Sequence, residues 1–288
     1  MQLIHALDSH LELEHEGVAL FRYVYRPRTP QIESPRPYFH PLRTLKGNIV
    51  SGFRPHDHRW HHGLSMTSAF LNGQNFWGGP TFKDGKYRQL ENNGQQTKDW
   101  KSFAVRESGF SQEIAWLTAQ GEWILGGSYQ AQIQIEADFW QINIQIPLEN
   151  TTDEPLHWGS PTTQGRENAG YGGLFWRGPR DFLGGQILMS DGREGAALMG
   201  EKSPWLAYIG KHDESDAQST LVFVDNPKNP RYPTPWFVRN TEPMVCPNFA
   251  FHEEYIQNPG EVLTLNYKIL IADGAWSRER IEREIEKI

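Results

Sequence analysis

Strict alternation of apolar and polar residues is the clearest pattern in the chain. In "YQAQIQIEADFWQINIQIPLEN" (129–150), Ile133, Ile135, Ala137 and Phe139 alternate with polar residues. Trp140, Ile142, Ile144, Ile146 and Leu148 then alternate in the opposite phase. A period of two puts every second side chain on one face of a strand. The change of phase between Glu136 and Phe139 predicts two long strands joined by a tight turn or a bulge. The polar partners are mostly Gln and Asn, which leaves one face wet, as in an antiparallel sheet. "HLELEHEGVALFRYVYRP" (10–27) repeats the pattern in shorter runs. Leu11 and Leu13 precede Gly17, and Ala19, Phe21, Tyr23 and Tyr25 follow it, so a hairpin or two successive strands end at Pro27.

Other segments read less regularly. "RPRTPQIESPRP" (26–37) is too proline-rich for a helix or a central strand and is expected to be a surface loop. "HHGLSMTSAFLNG" (61–73) begins as a strand and ends in an Asn-Gly turn. The polar stretch 83–112 reads as loop with short strands, and the Gly-rich stretch 156–185 holds no regular element for long. "STLVFVDNP" (219–227) and "GEVLTLNYKILIADG" (260–274) are strands bounded by turn residues. The end changes period: Ser277 is a candidate N-cap, Ile281, Ile285 and Ile288 share one helical face, and Trp276 is placed to staple onto Ile281. No repeat or linker divides the chain. The expected architecture is all-β, an antiparallel β-sandwich in one domain over 1–288, with a short helix over 277–288 docked on it.

Composition supports this class. Eleven Trp, 15 Phe and 10 Tyr suit pleated, half-buried surfaces, and 27 Gly and 19 Pro punctuate them. A net charge of −7 with mixed signs along the chain argues against nucleic acid as the main partner. Cys246 is the only cysteine, so no intrachain disulfide forms. The N-terminus lacks a secretory pattern and no apolar run reaches membrane-spanning length, so a cytoplasmic protein without membrane contact is expected. The sequon at Asn150 then carries no weight.

Three blocks, "RPYFHPLRTLKGNIVSGFRPHDHRWHHGL" (36–64), "AGYGGLFWRGPRDFLGG" (169–185) and "PWFVRNTEPMVCPNFAFHEEYIQNPGEVLTLNYKILIADG" (235–274), resemble the PmoA-like family of soluble bacterial proteins in order and spacing. That family is named after a membrane-embedded methane mono-oxygenase subunit. The layout also resembles, more loosely, the galactose-mutarotase-like supersandwich. That resemblance implies an open cleft binding a sugar, with one His as acid and one Glu, late in the chain before a "PGE" turn, as base. Glu253 falls at that place.

The densest chemistry lies in "RPHDHRWHHG" (54–63), with His56, His58, His61 and His62 out of 11 histidines in the chain. In an extended strand His56 and His58 point together, whereas adjacent His61 and His62 point apart. His56 stands outside the resembled motif. An acid–base reading takes His58, His61 or His62 as acid and Glu253 as base, with Glu254 facing away if "AFHEEYI" is a strand. A metal reading takes His58 with His61 or His62 and a distant His40 or His252; no metalloprotease or paired-cysteine spacing supports it. Arg43, Arg54, Arg177 and Arg180, with Asp57, are candidates to hold a polar or anionic sugar, or else form internal ion pairs. Trp60, Trp77, Trp158, Trp176 and Trp236 lie in or beside the motifs; most are expected in the core, with Trp77 assigned to the cleft. Nucleotide-binding and serine-hydrolase signatures are absent. The expected function is proton transfer on a carbohydrate (epimerisation, isomerisation or elimination). The alternatives are a metal-dependent enzyme such as an oxygenase, and a non-catalytic sugar binder. No cofactor is expected, a single metal ion being the alternative.

Overall fold

The structure is a computed structural model that describes residues 1–96 and 103–287. Its two large sheets are antiparallel and pack face to face. The first runs Gln2–Ala6, His10–His15, Val18–Val24, Tyr38–Leu42, Leu64–Ser68, Gly172–Arg177, Met244–Pro247, Trp236–Arg239 in spatial order. The second runs Phe103–Arg106, Gly109–Leu117, Trp123–Ile135, Phe139–Asn150, Val262–Asp273, Gln218–Asp225, Trp205–Lys211, Gln186–Met189, and Gln95–Gln96 adds to Gly109–Leu117. Aromatic rings close the space between them: Tyr23 meets Phe110 at 4.6 Å, Phe21 meets Trp140 at 5.9 Å, and Trp176 meets Phe223 at 5.5 Å.

The alternating segments fold as their period dictates. The phase break at 136–138 is a turn between Trp123–Ile135 and Phe139–Asn150, which pair from Ile135↔Trp140 to Leu125↔Asn150. Ile133, Trp140, Ile142, Ile144, Ile146 and Leu148 all reach the core. His10–His15 and Val18–Val24 form a hairpin whose two turn residues, Glu16 and Gly17, have φ of 49° and 81°. Positive φ at both positions gives the turn a twist that matches the strands. The Asn72–Gly73 turn is formed the same way, with φ of 47° and 78°.

Two segments depart from expectation. The Gly-rich stretch contains a strand in the middle of the first sheet, Gly172–Arg177, whose six residues are all buried. Both its faces are covered, so no alternation marks it. "AFHEEYI" is not a strand at Glu253: the chain bends through 251–253, and only Tyr255–Gln257 is extended. Part of the expected loop at 83–112 and Ile288 lie outside the described residues.

The terminal helix Arg278–Glu286 forms as its cap predicts. The Ser277 hydroxyl accepts from the backbone N–H of Arg280 at 3.3 Å. Trp276 and Ile281 pack with Phe139, Leu188, Trp205, Val222 and Leu270, which point outward from the second sheet. Ile281→Ala is expected to lower unfolding free energy by about 2–4 kcal/mol, seen as a lower urea midpoint at unchanged slope. A loss under about 0.5 kcal/mol, the range of surface substitutions, is incompatible with this docking.

Candidate functional site

The outer face of the first sheet carries a second apolar layer: Phe175, Phe237, Met244, Cys246, Ala69, Trp77 and Phe251. Loops rise over it and leave a pocket of ≈ 240 Å³, walled by Trp60, Trp77, Tyr171 and Phe237 and bearing His58, His61, Arg166, Arg239 and Glu242. Trp77 packs on Tyr171 at 4.5 Å, on Phe175 at 4.6 Å and edge-on against His61 at 5.3 Å. Gly79, with φ +66°, lets the loop lie on Trp60; a Cβ there would stand 2.6 Å from the indole. Asn75 ties this loop, accepting from Trp77 and Gly78 N–H at 2.9 and 2.8 Å.

The histidine segment is not extended. Phe53 bridges His62, and Arg54 N–H donates to the His61 carbonyl, so the chain doubles back. Two turns follow, His58 N–H to Pro55 O and His61 N–H to His58 O, each 3.0 Å. The second turn stacks the His58 and His61 rings at 4.9 Å, in place of the His56–His58 pairing expected of a strand. His56 instead accepts from Arg180 at the surface, 2.8 Å. His61 is 2 % exposed, and burial, then the Arg177 and His58 charges, hold its pKa well below the usual histidine value. It is a neutral imidazole. Among the described residues, nothing hydrogen-bonds its Nδ1.

His62 points the other way, as adjacency requires, and lies outside the pocket. Its Nε2 approaches Glu33 Oε2 and the Arg59 carbonyl, each at 3.1 Å. Both are acceptors, so Nε2 carries the proton. Burial, against the pull of Glu33, brings its pKa down to about 4. Glu33 is buried and also receives both arms of the Arg54 fork at 2.9 and 2.8 Å. Burial pushes the Glu33 carboxyl up, but His62 and Arg54 outweigh it and hold it below the ordinary carboxylate value. Arg54 is thus an internal ion-pair partner.

The remaining expected site residues divide. Asp57 stands at the rim, 3.3 Å from His58 Nδ1 and 3.2 Å from Arg180. Arg177 lies buried on the pocket face of its strand, beside Met244 across the sheet. Arg43 is elsewhere, donating to the Ala19 carbonyl at 3.1 Å. Glu253 is not brought to the histidines: it is 83 % exposed, 4.0 Å from Arg231, on a separate depression with Lys202 and His252. The bend at 251–253 removes the strand geometry on which its placement relied. Glu254 pairs with His157 at 3.1 Å. Trp158, Trp176 and Trp236 are core residues, each with its indole N–H bonded inside.

The carboxylate that the structure brings beside His58 is Glu242, in the loop joining Trp236–Arg239 to Met244–Pro247, and not Glu253. Ligand atoms of Asp57, His58 and Glu242 all lie within 4.8 Å of one another. Arg239 holds Glu242 at 3.2 Å and lies over the Phe237 ring at 5.1 Å. Arg166 lies on Tyr87, whose hydroxyl meets that of Tyr171 at 2.9 Å. Arg36 was also missed. Fully buried, it donates to Ser65 Oγ and to the carbonyls of Glu33, Ser34, Trp77 and Trp60 at 2.7–3.1 Å, fixing both tryptophan loops. The only signal for either residue is membership of the motif blocks.

The family model described as "Family of unknown function (DUF6807)" matches residues 10–286, and the chain belongs to that family. The comparison with curated proteins found no match. Among solved structures the chain is similar to the galactosidase domain of alpha-galactosidase-sucrose kinase, AgaSK (TM-score 0.43, 11% identity, 95% of this chain and 42% of that one). It is also similar to the alpha-galactosidase from Lactobacillus brevis (0.41, 10%, 95% and 39%). A third is the GH36 alpha-galactosidase AgaA from Geobacillus stearothermophilus in complex with raffinose (0.37, 10%, 96% and 41%). The chain spans about two fifths of the length of these proteins. The matching family model and the structures named above do not carry the PmoA-like name.

Arg36→Lys keeps the charge but loses the fork. With several buried carbonyls left unpaired at roughly 1–3 kcal/mol each, stability is expected to fall by at least about 3 kcal/mol in urea unfolding; a neutral effect refutes the anchoring role. Stability is also expected to depend on pH. His62 and His40 have pKa values lowered to about 4, chiefly by burial, and burial holds His61 well below the usual histidine value too. The unfolded chain takes up protons near pH ~6.5 that the folded chain refuses. Stability is therefore full above that pH and is lost as pH falls toward 4; Glu33 acts in the same direction at the lower end. Melting temperatures measured from pH 7 to 4 should decline throughout, and a flat profile would show these histidines to be protonated in the fold.

Proposed function

We propose that the pocket binds a small carbohydrate and that His58 and Glu242 transfer a proton on it. The observation that carries this reading is the placement of His58 and Glu242 on the wall of an aromatic-lined pocket, with ligand atoms within 4.8 Å of each other. Ring faces of Trp77, Tyr171 and Phe237 suit the apolar C–H faces of a sugar. At ≈ 240 Å³ the pocket is smaller than the roughly 300–1,000 Å³ of drug-sized sites, which favours one ring over an oligosaccharide.

The residues have distinct roles. An imidazole can gain and lose a proton near neutral pH, and a carboxylate across the gap can take one from a carbon or hydroxyl. His61, neutral beneath His58, can donate a hydrogen bond to a carbonyl or ring oxygen without delivering its proton. Asp57 orients His58 from the rim. Such a set serves epimerisation, isomerisation or elimination.

A second reading places a divalent cation on Asp57, His58 and Glu242, favoured by the closeness of their ligand atoms. An oxygenase would need such a centre. Against it, Arg180 and Arg239 already neutralise the two carboxylates.

The test is incubation with aldoses, ketoses and uronic acids in D₂O, following solvent deuterium at sugar carbons by NMR. Wild-type protein is expected to exchange a carbon-bound proton, and Glu242→Gln to slow this by about 10²–10⁴-fold with ligand affinity retained. Binding without exchange in the wild type would make the protein a sugar binder. Exchange that requires added metal and is abolished by chelator would support the cation.

A further inference from the structure

We infer that the ligand of this pocket is a sugar acid, or a polyol acid of similar size, whose carboxylate is received by Arg177 and His61. The inference rests on the carbohydrate reading above and narrows it to a class.

Arg177 is the starting point. It is 4 % exposed, and its Nη1 is fully enclosed with no hydrogen-bond partner among the described residues. Asp57 and Glu242 act on it only through space. The neighbouring arginines all have partners: Arg36 has its carbonyls, Arg54 has Glu33, Arg180 has Asp57 and Arg239 has Glu242. A buried guanidinium donor left without an acceptor is costly, and a bound carboxylate would remove that cost.

Its position fits the pocket. Strand register puts Arg177 opposite Met244, and Met244 opposite Arg239, so the three form one row across three strands. Arg239 and Met244 line the pocket. Met244 is unbranched, and its side chain can turn aside to let a carboxylate reach Arg177. His61 lines the same space and has an unpartnered Nδ1. It supplies a second polar contact from a neutral ring. Charge sets the sign of the ligand: Arg166 and Arg239 line the space against one carboxylate, Glu242, and just behind it Arg177 and Arg180 outnumber Asp57. A planar carboxylate matches the guanidinium fork. A phosphate dianion would meet Glu242 and Asp57 with twice the charge.

Isothermal titration of the whole protein with sodium glucuronate, galacturonate, glucose, galactose and glucose 6-phosphate tests this. The uronates are expected to bind at least about tenfold more tightly than their parent sugars and more tightly than the phosphate. Arg177→Met is expected to bring the uronates down to the affinity of the parent sugars, with the melting temperature of the free protein not lowered. Should that variant fail to fold, Arg177→Lys carries the same comparison, because it keeps the charge and loses the fork. Equal affinity for acid and parent sugar overturns the inference and leaves the sugar pocket standing. A uronate preference that survives Arg177→Met overturns it too, and so does preference for the phosphate. If none of the five binds, the carbohydrate reading falls and takes the inference with it.

Discussion

One guanidinium organises the pocket. Arg36 is withdrawn from water, yet its partners are carbonyl oxygens and one hydroxyl, with no carboxylate paired to it. Burial lowers its pKa only to about 10, so it stays a cation at neutral pH. Desolvating such a charge costs several kcal/mol, and hydrogen bonds to a charged group return roughly 1.5–3 kcal/mol each. The balance is favourable only if most of them form together. The turn at Glu33, the histidine segment at Trp60 and the loop at Trp77 are therefore fixed as a unit. Each brings something the pocket needs: Glu33 sequesters His62 and Arg54, Trp60 and Trp77 form walls, and His61 is clamped between Trp77 and Phe175.

The site combines two environments a few ångströms apart. His61 and His62 are adjacent in sequence and both are neutral, but for separate ends. His62 closes a buried cluster with Glu33, whereas His61 lines the pocket with its enclosed Nδ1 bonded to nothing among the described residues. His58, half-buried at the rim beside Asp57 and Glu242, is the one of the three that solvent reaches. Crowding four histidines into ten residues thus yields one surface partner for Arg180, one structural anchor, one neutral floor and one imidazole at the rim beside two carboxylates.

Much of the fold was legible because period-two alternation survives wherever a sheet has one wet face. The hairpins at 10–24 and 123–150 and the strand Val262–Asp273 are of this kind. Gly172–Arg177 was hidden because it is covered on both sides. The site was only half legible. The pointing-apart of His61 and His62 follows from adjacency in any backbone, but the His58–His61 stack needs a turn that alternation cannot reveal. Glu242 and Glu253 are both carboxylates near strand ends, and nothing local marks Glu242 as the one that reaches the pocket. Only the register of Trp236–Arg239 against Met244–Pro247 carries Glu242 to the pocket.

Four of the five acceptors around Arg36 belong to the main chain. A carbonyl is present whatever side chain it carries. The anchor therefore constrains the path of the loops and leaves the identity of residues 60 and 77 free of it. Within a lineage, Trp60 and Trp77 can be exchanged for other side chains, and the recognised molecule can drift, while the architecture beneath is inherited unchanged. Variation in this protein's relatives should concentrate on what the loops display and spare the arginine that holds them.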